Sequence, residues 1–181
     1  HGLIAFGSSF DQIGPFTQSV EDAQRILEVI NGKDNFDATA IQNTVDSYSL
    51  ESGKKYKITY FKEIIESSGL NPEVKASFED LIQKLKDLGH QVEARTFPLL
   101  DYVIPTYYVL TTAEASSNLS RYDGVHYGYR SKEAVNMDEV YKKSRTEGFG
   151  EEVRRRIMLG TFVLSAGYYD AYYTKGQEVR R

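Results

Sequence analysis

Cysteine and tryptophan are absent from this 181-residue sequence, and methionine and histidine are scarce, with two and three residues respectively. Without cysteine, a disulfide framework, a thiolate nucleophile and a cysteine-ligated zinc site are excluded. The histidines, His1, His90 and His126, are too scattered to indicate a metal site. A basic excess is also lacking, because 22 Lys and Arg face 26 Asp and Glu, so indiscriminate nucleic-acid binding is disfavoured.

Long apolar runs and known catalytic motifs are missing as well. No run approaches the roughly 20 apolar residues that span a bilayer, and no charged-then-apolar leader opens the chain, so we expect no membrane association. The phosphate-binding loop, GxGxxG, HExxH and GxSxG are all absent. The chain begins with His1 rather than methionine, and we expect an internal piece of a longer polypeptide.

The middle of the chain predicts an α/β fold. Residues Lys57 to Phe61 have strand composition, and Asn71 followed by Pro72 supplies a helix N-cap and a first-turn proline. One apolar stripe follows at helical spacing, formed by Val74, Phe78, Leu81, Ile82, Leu85 and Leu88. A second strand is expected from Gln91 to Phe97. A strand, helix and strand in this order predict a parallel, right-handed crossover.

The rest of the chain is expected to be mostly helical, so residues 1–100 form an α/β portion and residues 101–181 a helical portion of a single domain. A first helix over Val20 to Ile30 is capped by Thr17 or Ser19. The polar stretch from Asn31 to Lys55 predicts a surface excursion. Three further helices are expected. The first covers Val103 to Leu119, and the second begins after an N-cap at Asn136, with Glu139 three residues later. The third covers Glu151 to Tyr173 and is separated from the second by Gly148-Phe149-Gly150.

Three successive arginines, Arg154 to Arg156, follow two acidic residues. One interpretation is a charged first helical turn with local ion pairs and solvated heads. The other starts from the 100° between successive helical residues, by which one of the three faces inward and needs an anion. A carboxylate matches the guanidinium fork in two places, so a carboxylate ligand is one candidate.

The tyrosine pairs 107–108, 168–169 and 172–173 have two interpretations too. Most such rings pack in a core or an interface with a satisfied hydroxyl. A stacking platform for single-stranded RNA also uses aromatics, but it needs a basic groove beside them, and the near-neutral second half argues against it.

Whole phrases of the sequence resemble the amidase signature family, and within it the A subunits of glutamyl-tRNA(Gln) amidotransferases. The phrases are Gly2 to Phe16, Ile104 to Tyr108, Glu114 to Gly124, Tyr127 to Tyr129, Ser144 to Gly150, Val153 to Phe162 and Gly167 to Tyr173. The resemblance covers nearly the whole chain apart from the stretch around Thr39 to Lys54. It implies that the chain is part of the amidase signature fold.

The resemblance also implies an activity, partners and a location. Such an A subunit hydrolyses glutamine, and the ammonia converts ATP-activated Glu-tRNA(Gln) to Gln-tRNA(Gln) on a B subunit, with a small C subunit completing the cytoplasmic complex. ATP, Mg²⁺ and tRNA belong chiefly to the B subunit, so no cofactor is expected in this chain. The family's two catalytic serines and lysine lie before the phrase at Gly2, so the 181 residues alone are expected to be inactive.

Two residues match the family's substrate-binding positions. Arg156 matches the arginine that holds the α-carboxylate of glutamine, and Tyr107 matches a tyrosine of that pocket. An acidic residue for the α-ammonium lies beyond Arg181 in the family. Lys33-Asp34-Asn35 echoes a family phrase that bears the catalytic lysine, and Gly7-Ser8-Ser9 echoes the nucleophile segment, but neither is expected to be catalytic.

Two alternatives remain open. One is a stand-alone amidase signature hydrolase that acts on another amide without tRNA or partner subunits. The other is a non-catalytic interaction module that carries this segment. The phrases Glu114 to Gly124 and Gly148 to Phe162 weigh against the stand-alone amidase.

Overall fold

A computed structural model describes residues 3–40 and 53–181. They fall into two compact units, one made of His1–Gln42 and Tyr102–Arg181 and the other of Asn43–Asp101. Much of the expected surface excursion, residues 41–52, lies outside the described residues. Its described beginning consists of turns, in which the carboxylate of Asp34 accepts a hydrogen bond from the amide of Phe36 (2.8 Å). The single-domain assignment stays a prediction.

The unit Asn43–Asp101 contains the predicted parallel pair. Strand β1 (Lys57–Phe61) pairs with β2 (Gln91–Arg95) in a register that sets Lys57 opposite Gln91. A short helix, α1 (Lys62–Ile65), follows β1 directly and was not predicted. The second strand ends at Arg95, two residues earlier than expected, and the amide of Phe97 donates instead to the Glu63 carboxylate (3.2 Å).

The crossover helix, α2 (Pro72–Asp87), begins where its sequence predicts. The side chain of Asn71 accepts from the amide of Glu73 (2.8 Å), and the proline at the first helical position lacks the donor that would otherwise be free. The two strands cover only part of the apolar stripe of this helix. Phe78 contacts Tyr60 edge-on at 6.3 Å and is half-buried, whereas three stripe residues remain about half exposed, namely Val74, Leu81 and Leu88.

In the other unit helix α3 (Val20–Ile30) forms as predicted, and the described residues before it, 3–19, are turns, bends and irregular chain. Of the two candidate N-caps, Ser19 is the one that caps the helix. Its hydroxyl accepts from the Asp22 amide (3.1 Å), while the Thr17 hydroxyl donates to the Ser19 carbonyl (2.7 Å).

The core of this unit lies along the C-terminal half of helix α4 (Leu100–Asn118), which continues as a 3₁₀ turn over Leu119–Arg121. Leu110, Ala113 and Ala115 are at most 1% exposed. The buried hydroxyls of this helix donate to backbone carbonyls one turn back, as Thr112 does to Tyr108 (2.6 Å). Helix α5 (Met137–Gly148) follows, and its Asn136 cap accepts from the Glu139 amide (2.9 Å), as predicted.

The expected single helix from Glu151 to Tyr173 is wrong. Helix α6 (Glu151–Val163) ends ten residues early, and a π-helix (Tyr169–Thr174) and helix α7 (Lys175–Arg180) follow. Phe162 stacks on Tyr168 with ring centroids 4.1 Å apart, and the Ser165 hydroxyl donates to the Phe162 carbonyl (2.7 Å). These contacts accompany a turn over residues 164–168, where the Tyr168 amide donates to the Ser165 carbonyl (2.9 Å) and the helix is interrupted. None of the described helices is long and apolar enough to cross a bilayer.

Candidate substrate-binding site

Helix α6 approaches the backbone of α4 at Gly160. A Cβ added to Gly160 would overlap the Thr112 carbonyl oxygen and lie 2.8 Å from the Cβ of Ser116. Gly160 is itself buried, and Val163 on the same face is 2% exposed. Arg156 lies one helical turn before Gly160, on the face that packs against α4.

The three arginines have different surroundings. Arg155 points to solvent, with 68% of its side chain exposed, and is held by Glu151 and Glu152. Arg154 is exposed and makes no ion pair within the described ranges. Arg156 is only 36% exposed, and its Nε donates to Glu152 Oε1 at 3.2 Å. The local-pair interpretation therefore fits Arg155, and Arg156 also pairs locally but is the less exposed of the two.

The guanidinium of Arg156 keeps binding capacity. Its contact with Glu152 uses Nε, and its two terminal amino groups have no hydrogen-bond partner in residues 3–40 and 53–181. Those two groups form one side of the fork that suits a planar carboxylate. Glu152 holds the side chain from the same helix and so restricts its orientation.

Tyr107 lies in the N-terminal half of α4, beyond Pro105. Its ring meets Phe10 edge-on at 6.0 Å and Tyr108 at 5.5 Å, and the residue is 43% exposed. The hydroxyl has no hydrogen-bond partner in the part of the chain that the structure describes. The two candidate residues thus stand on helices that contact each other, but their side chains make no hydrogen bond or cation-π contact with one another.

A separate cavity of about 270 Å³ opens beside the C-terminal half of α4. Its walls include Ser8, Glu114, Asn118, Tyr169 and Tyr173, and neither Arg156 nor Tyr107 lines it.

Glu114 organises this region, a role that its local sequence does not predict. Both the amide (2.8 Å) and the hydroxyl of Ser9 donate to its carboxylate, and Arg180 donates to the Ser9 hydroxyl (2.6 Å) and carbonyl (3.1 Å). Asn118 donates to the Phe6 carbonyl (3.1 Å). The only signal for these contacts was that Ser9 and Glu114 both lie in phrases of the family resemblance.

The remaining sequence candidates have local partners. The Nδ1 of His90 accepts from the Tyr56 amide (3.1 Å), and His126 Nδ1 lies 2.7 Å from the Asp123 carboxylate, whereas His1 lies outside the described residues. Across the described ranges, no three His, Cys, Asp or Glu residues are grouped to hold a metal. Lys33 directly follows Gly32, which has φ 144° and lies just after the end of α3. Lys33 is therefore at the helix exit, as expected.

Comparisons with known proteins agree with the resemblance. A family model described as Amidase matches residues 1–181. Proteins named as A subunits of glutamyl-tRNA(Gln) amidotransferases match from Koribacter versatilis (56% identity, 99% of this chain, 38% of the relative), Prosthecochloris aestuarii (51%, 100%, 39%) and Staphylococcus epidermidis strain ATCC 12228 (50%, 99%, 37%). The chain therefore spans under two fifths of these relatives' length.

A solved structure titled "Crystal structure of amidase" supports the fold, with a TM-score of 0.63 at 23% identity over 99% of this chain and 33% of that chain. The α/β class with two parallel strands and a mainly helical remainder is confirmed. With a family match along its whole length, the chain belongs to the amidase family.

Proposed function

We propose that the chain is an internal part of the glutamine-hydrolysing subunit of a glutamyl-tRNA(Gln) amidotransferase. Three relatives of that name share 50 to 56% of its residues across nearly its full length. The chain supplies part of the glutamine pocket. The hydrolysis frees ammonia, which serves the ATP-dependent amidation of Glu-tRNA(Gln) in the cytoplasm.

The geometry of Arg156 carries this proposal. An arginine whose side chain is 36% exposed and whose guanidinium has two unoccupied terminal amino groups suits the α-carboxylate of an amino acid. Glu152 holds Nε, so the fork is oriented before the substrate arrives. The free hydroxyl of Tyr107 supplies a second polar wall on the helix that α6 packs against.

In this mechanism the chain binds and orients glutamine but does not attack it. Attack on the side-chain amide needs a nucleophile, a base and oxyanion donors. The family's serines and lysine supply these groups from the segment before the phrase at Gly2. The 181 residues alone should therefore release no ammonia from glutamine, and a measurable glutaminase rate would contradict this assignment.

The test is glutaminase kinetics in the full-length polypeptide. Arg156→Ala should raise KM for glutamine about tenfold or more with a small change in kcat, because a charge-assisted pair in the bound ground state is lost. The matched control is Arg154→Ala, which removes an exposed arginine from the same helix. An unchanged KM in Arg156→Ala would refute the role.

A second substrate separates lost binding from lost folding. In glutamine α-amide the carboxylate is replaced by a neutral carboxamide. The rise in KM caused by Arg156→Ala should be smaller for this substrate. The substrate lacks the carboxylate that Arg156 binds, so removing Arg156 costs it no charge pair. An equal penalty for both substrates would indicate a general defect instead.

The proposed complex contains a B and a C subunit, and tRNA reaches this chain only through it. ATP and Mg²⁺ act in the B subunit, and this chain holds no cofactor. Co-purification of the full-length polypeptide with its B and C subunits separates this function from a stand-alone amidase. Glutaminase activity without such an association would favour the stand-alone amidase.

A further inference from the structure

Residues 121–132 run from the last residue of the 3₁₀ turn toward α5 and are held rigidly on α5, and we name them the 121–132 loop. Arg145 donates to the carbonyls of Leu119 (2.9 Å) and Tyr122 (3.1 Å). The Ser144 hydroxyl accepts from the amide of Ser131 (3.0 Å). These contacts fix both ends of the loop to one helix.

The interior of the loop is also fixed. The carboxylate of Asp123 accepts from the amides of Val125 and His126, each at 2.8 Å. Gly124 and Gly128 both have φ near 80°, a conformation that other residues rarely adopt. The Tyr129 hydroxyl donates to Glu147 (2.9 Å) on α5. The side chains that face outward are therefore preorganised.

Those outward side chains are aromatic, apolar and cationic. Tyr127 and Tyr129 are 52% and 51% exposed, and Val125 is 43% exposed. Three exposed cations of the loop have no ion-pair partner within the described ranges, namely Arg121, Arg130 and Lys132. With Asp123 as its one acidic residue, the loop is positive in a chain whose net charge is −4.

We propose that the 121–132 loop is a docking surface for an acidic face of a partner subunit, with Tyr127 inserted into that subunit and Arg130 and Lys132 paired with its carboxylates. This inference rests on the proposed function, which supplies the partner subunits. Tyrosine and arginine are the residues that dominate binding energy in protein interfaces, and a preorganised loop loses little entropy on binding. Charge complementarity selects an acidic partner.

Carboxylates around the loop favour a protein over RNA. Asp123 lies within the loop, Glu133 directly follows it, and Glu147 binds Tyr129 beneath it. Hydrogen bonds from His126 and Val125 hold the pKa of Asp123 well below its usual range, so this carboxylate stays ionised. These carboxylates repel a phosphate backbone, whereas a protein surface carries both acidic and basic groups that can pair with the mixed charges of the loop.

The test measures the affinity of the full-length polypeptide for its separately purified partner subunits at low and high salt. Arg130→Glu should raise Kd about tenfold or more at low salt, with a smaller effect at high salt. Tyr127→Ala should raise Kd by a similar factor at both salt concentrations. Lys86→Glu on α2 changes the net charge equally, and Tyr102→Ala removes an equally exposed ring, so both should leave Kd within about twofold.

Three results would overturn the proposal. Loop variants that bind the partners as tightly as the wild type would show that the loop is not an interface. A large fall in Tm of the unbound variants would show that their own polypeptide covers the loop. Loss of tRNA binding with unchanged subunit binding would assign the surface to RNA. Failure of the wild type to bind any partner subunit would instead refute the proposed function itself.

Discussion

The close approach of α6 to α4 makes Gly160→Ala a sharp test of the packing that positions Arg156. The added Cβ would overlap the Thr112 carbonyl oxygen and lie 2.5 Å from its carbonyl carbon, whereas ordinary contact begins at 3.4 Å. Backbone atoms cannot rotate away as a flexible side chain can. The two helices must therefore separate locally by about 1 Å, which opens gaps among the neighbouring buried side chains.

The expected magnitude follows from two opposing terms. Alanine is favoured over glycine in a helix interior by about 1 kcal/mol, while overpacking a dense contact costs about 1–3 kcal/mol, and more where backbone is struck. Because the clash involves two backbone atoms and a Cβ, we expect a net loss of about 2 kcal/mol in the free energy of unfolding and a fall in Tm of roughly 2 °C in a full-length polypeptide more than twice as long as this chain.

The assay is thermal unfolding of the full-length polypeptide, followed by glutaminase kinetics below Tm. The matched control is Gly167→Ala, because nothing lies within 4 Å of a Cβ at Gly167. The control should change stability by no more than about 0.5 kcal/mol. In Gly160→Ala, KM should also rise, since Arg156 shifts with its helix. Equal Tm values for the two variants would refute the packing argument.

Three further predictions concern local contacts. Asn136→Ala should destabilise α5 by about 1 kcal/mol because the Glu139 amide loses its acceptor, whereas Asn136→Asp should retain most of the stability in the same denaturation assay. The folded-state pKa of Asp123 is lowered, so its contribution to stability is present above the ordinary pKa near 3.8 and is lost as pH falls toward the folded value. Tm should therefore fall more steeply in wild type than in Asp123→Asn as the pH drops below 3.8, and parallel curves would contradict this. Glu114→Ala should speed hydrogen exchange at the amide of Ser9 and its neighbours with little change in the unit Asn43–Asp101, and unchanged exchange at Ser9 would show that other contacts hold the segment.

Elements whose ends are set by neighbouring residues could be predicted from the sequence. The caps at Asn71 and Asn136 act on amides two and three residues away, so the chemistry that starts each helix lies within one short phrase. The parallel pairing of β1 and β2 follows from the general handedness and geometry of a strand, helix and strand.

The end of α6 could not be predicted from local sequence, which places it ten residues too late. The residues after Val163 include no proline, and helical spacing of apolar residues continues to Tyr173. The chain instead turns over residues 164–168, where the rings of Phe162 and Tyr168 come into contact. This is a packing preference between particular rings, and periodicity does not encode it.

The candidate site divides in the same way. The 100° between successive helical residues indicated that one of the three arginines faces differently, and the exposures of Arg155 and Arg156, 68% and 36%, agree. Which arginine it is depends on where α4 crosses α6, and the residue pattern of α6 alone does not contain that. The contacts of Glu114 with Ser9 join positions 105 residues apart and have no local signal.

The bond between Ser9 and Arg180 has a consequence for synthesis on the ribosome. The two residues are 171 positions apart, so the segment that contains Ser9 leaves the ribosome long before Arg180, its hydrogen-bond partner, is synthesised. At about 5–20 residues per second, the delay is roughly 10–35 seconds, longer than most elementary folding steps need. Throughout that interval the nascent segment lacks its final partner and is a natural client for a chaperone.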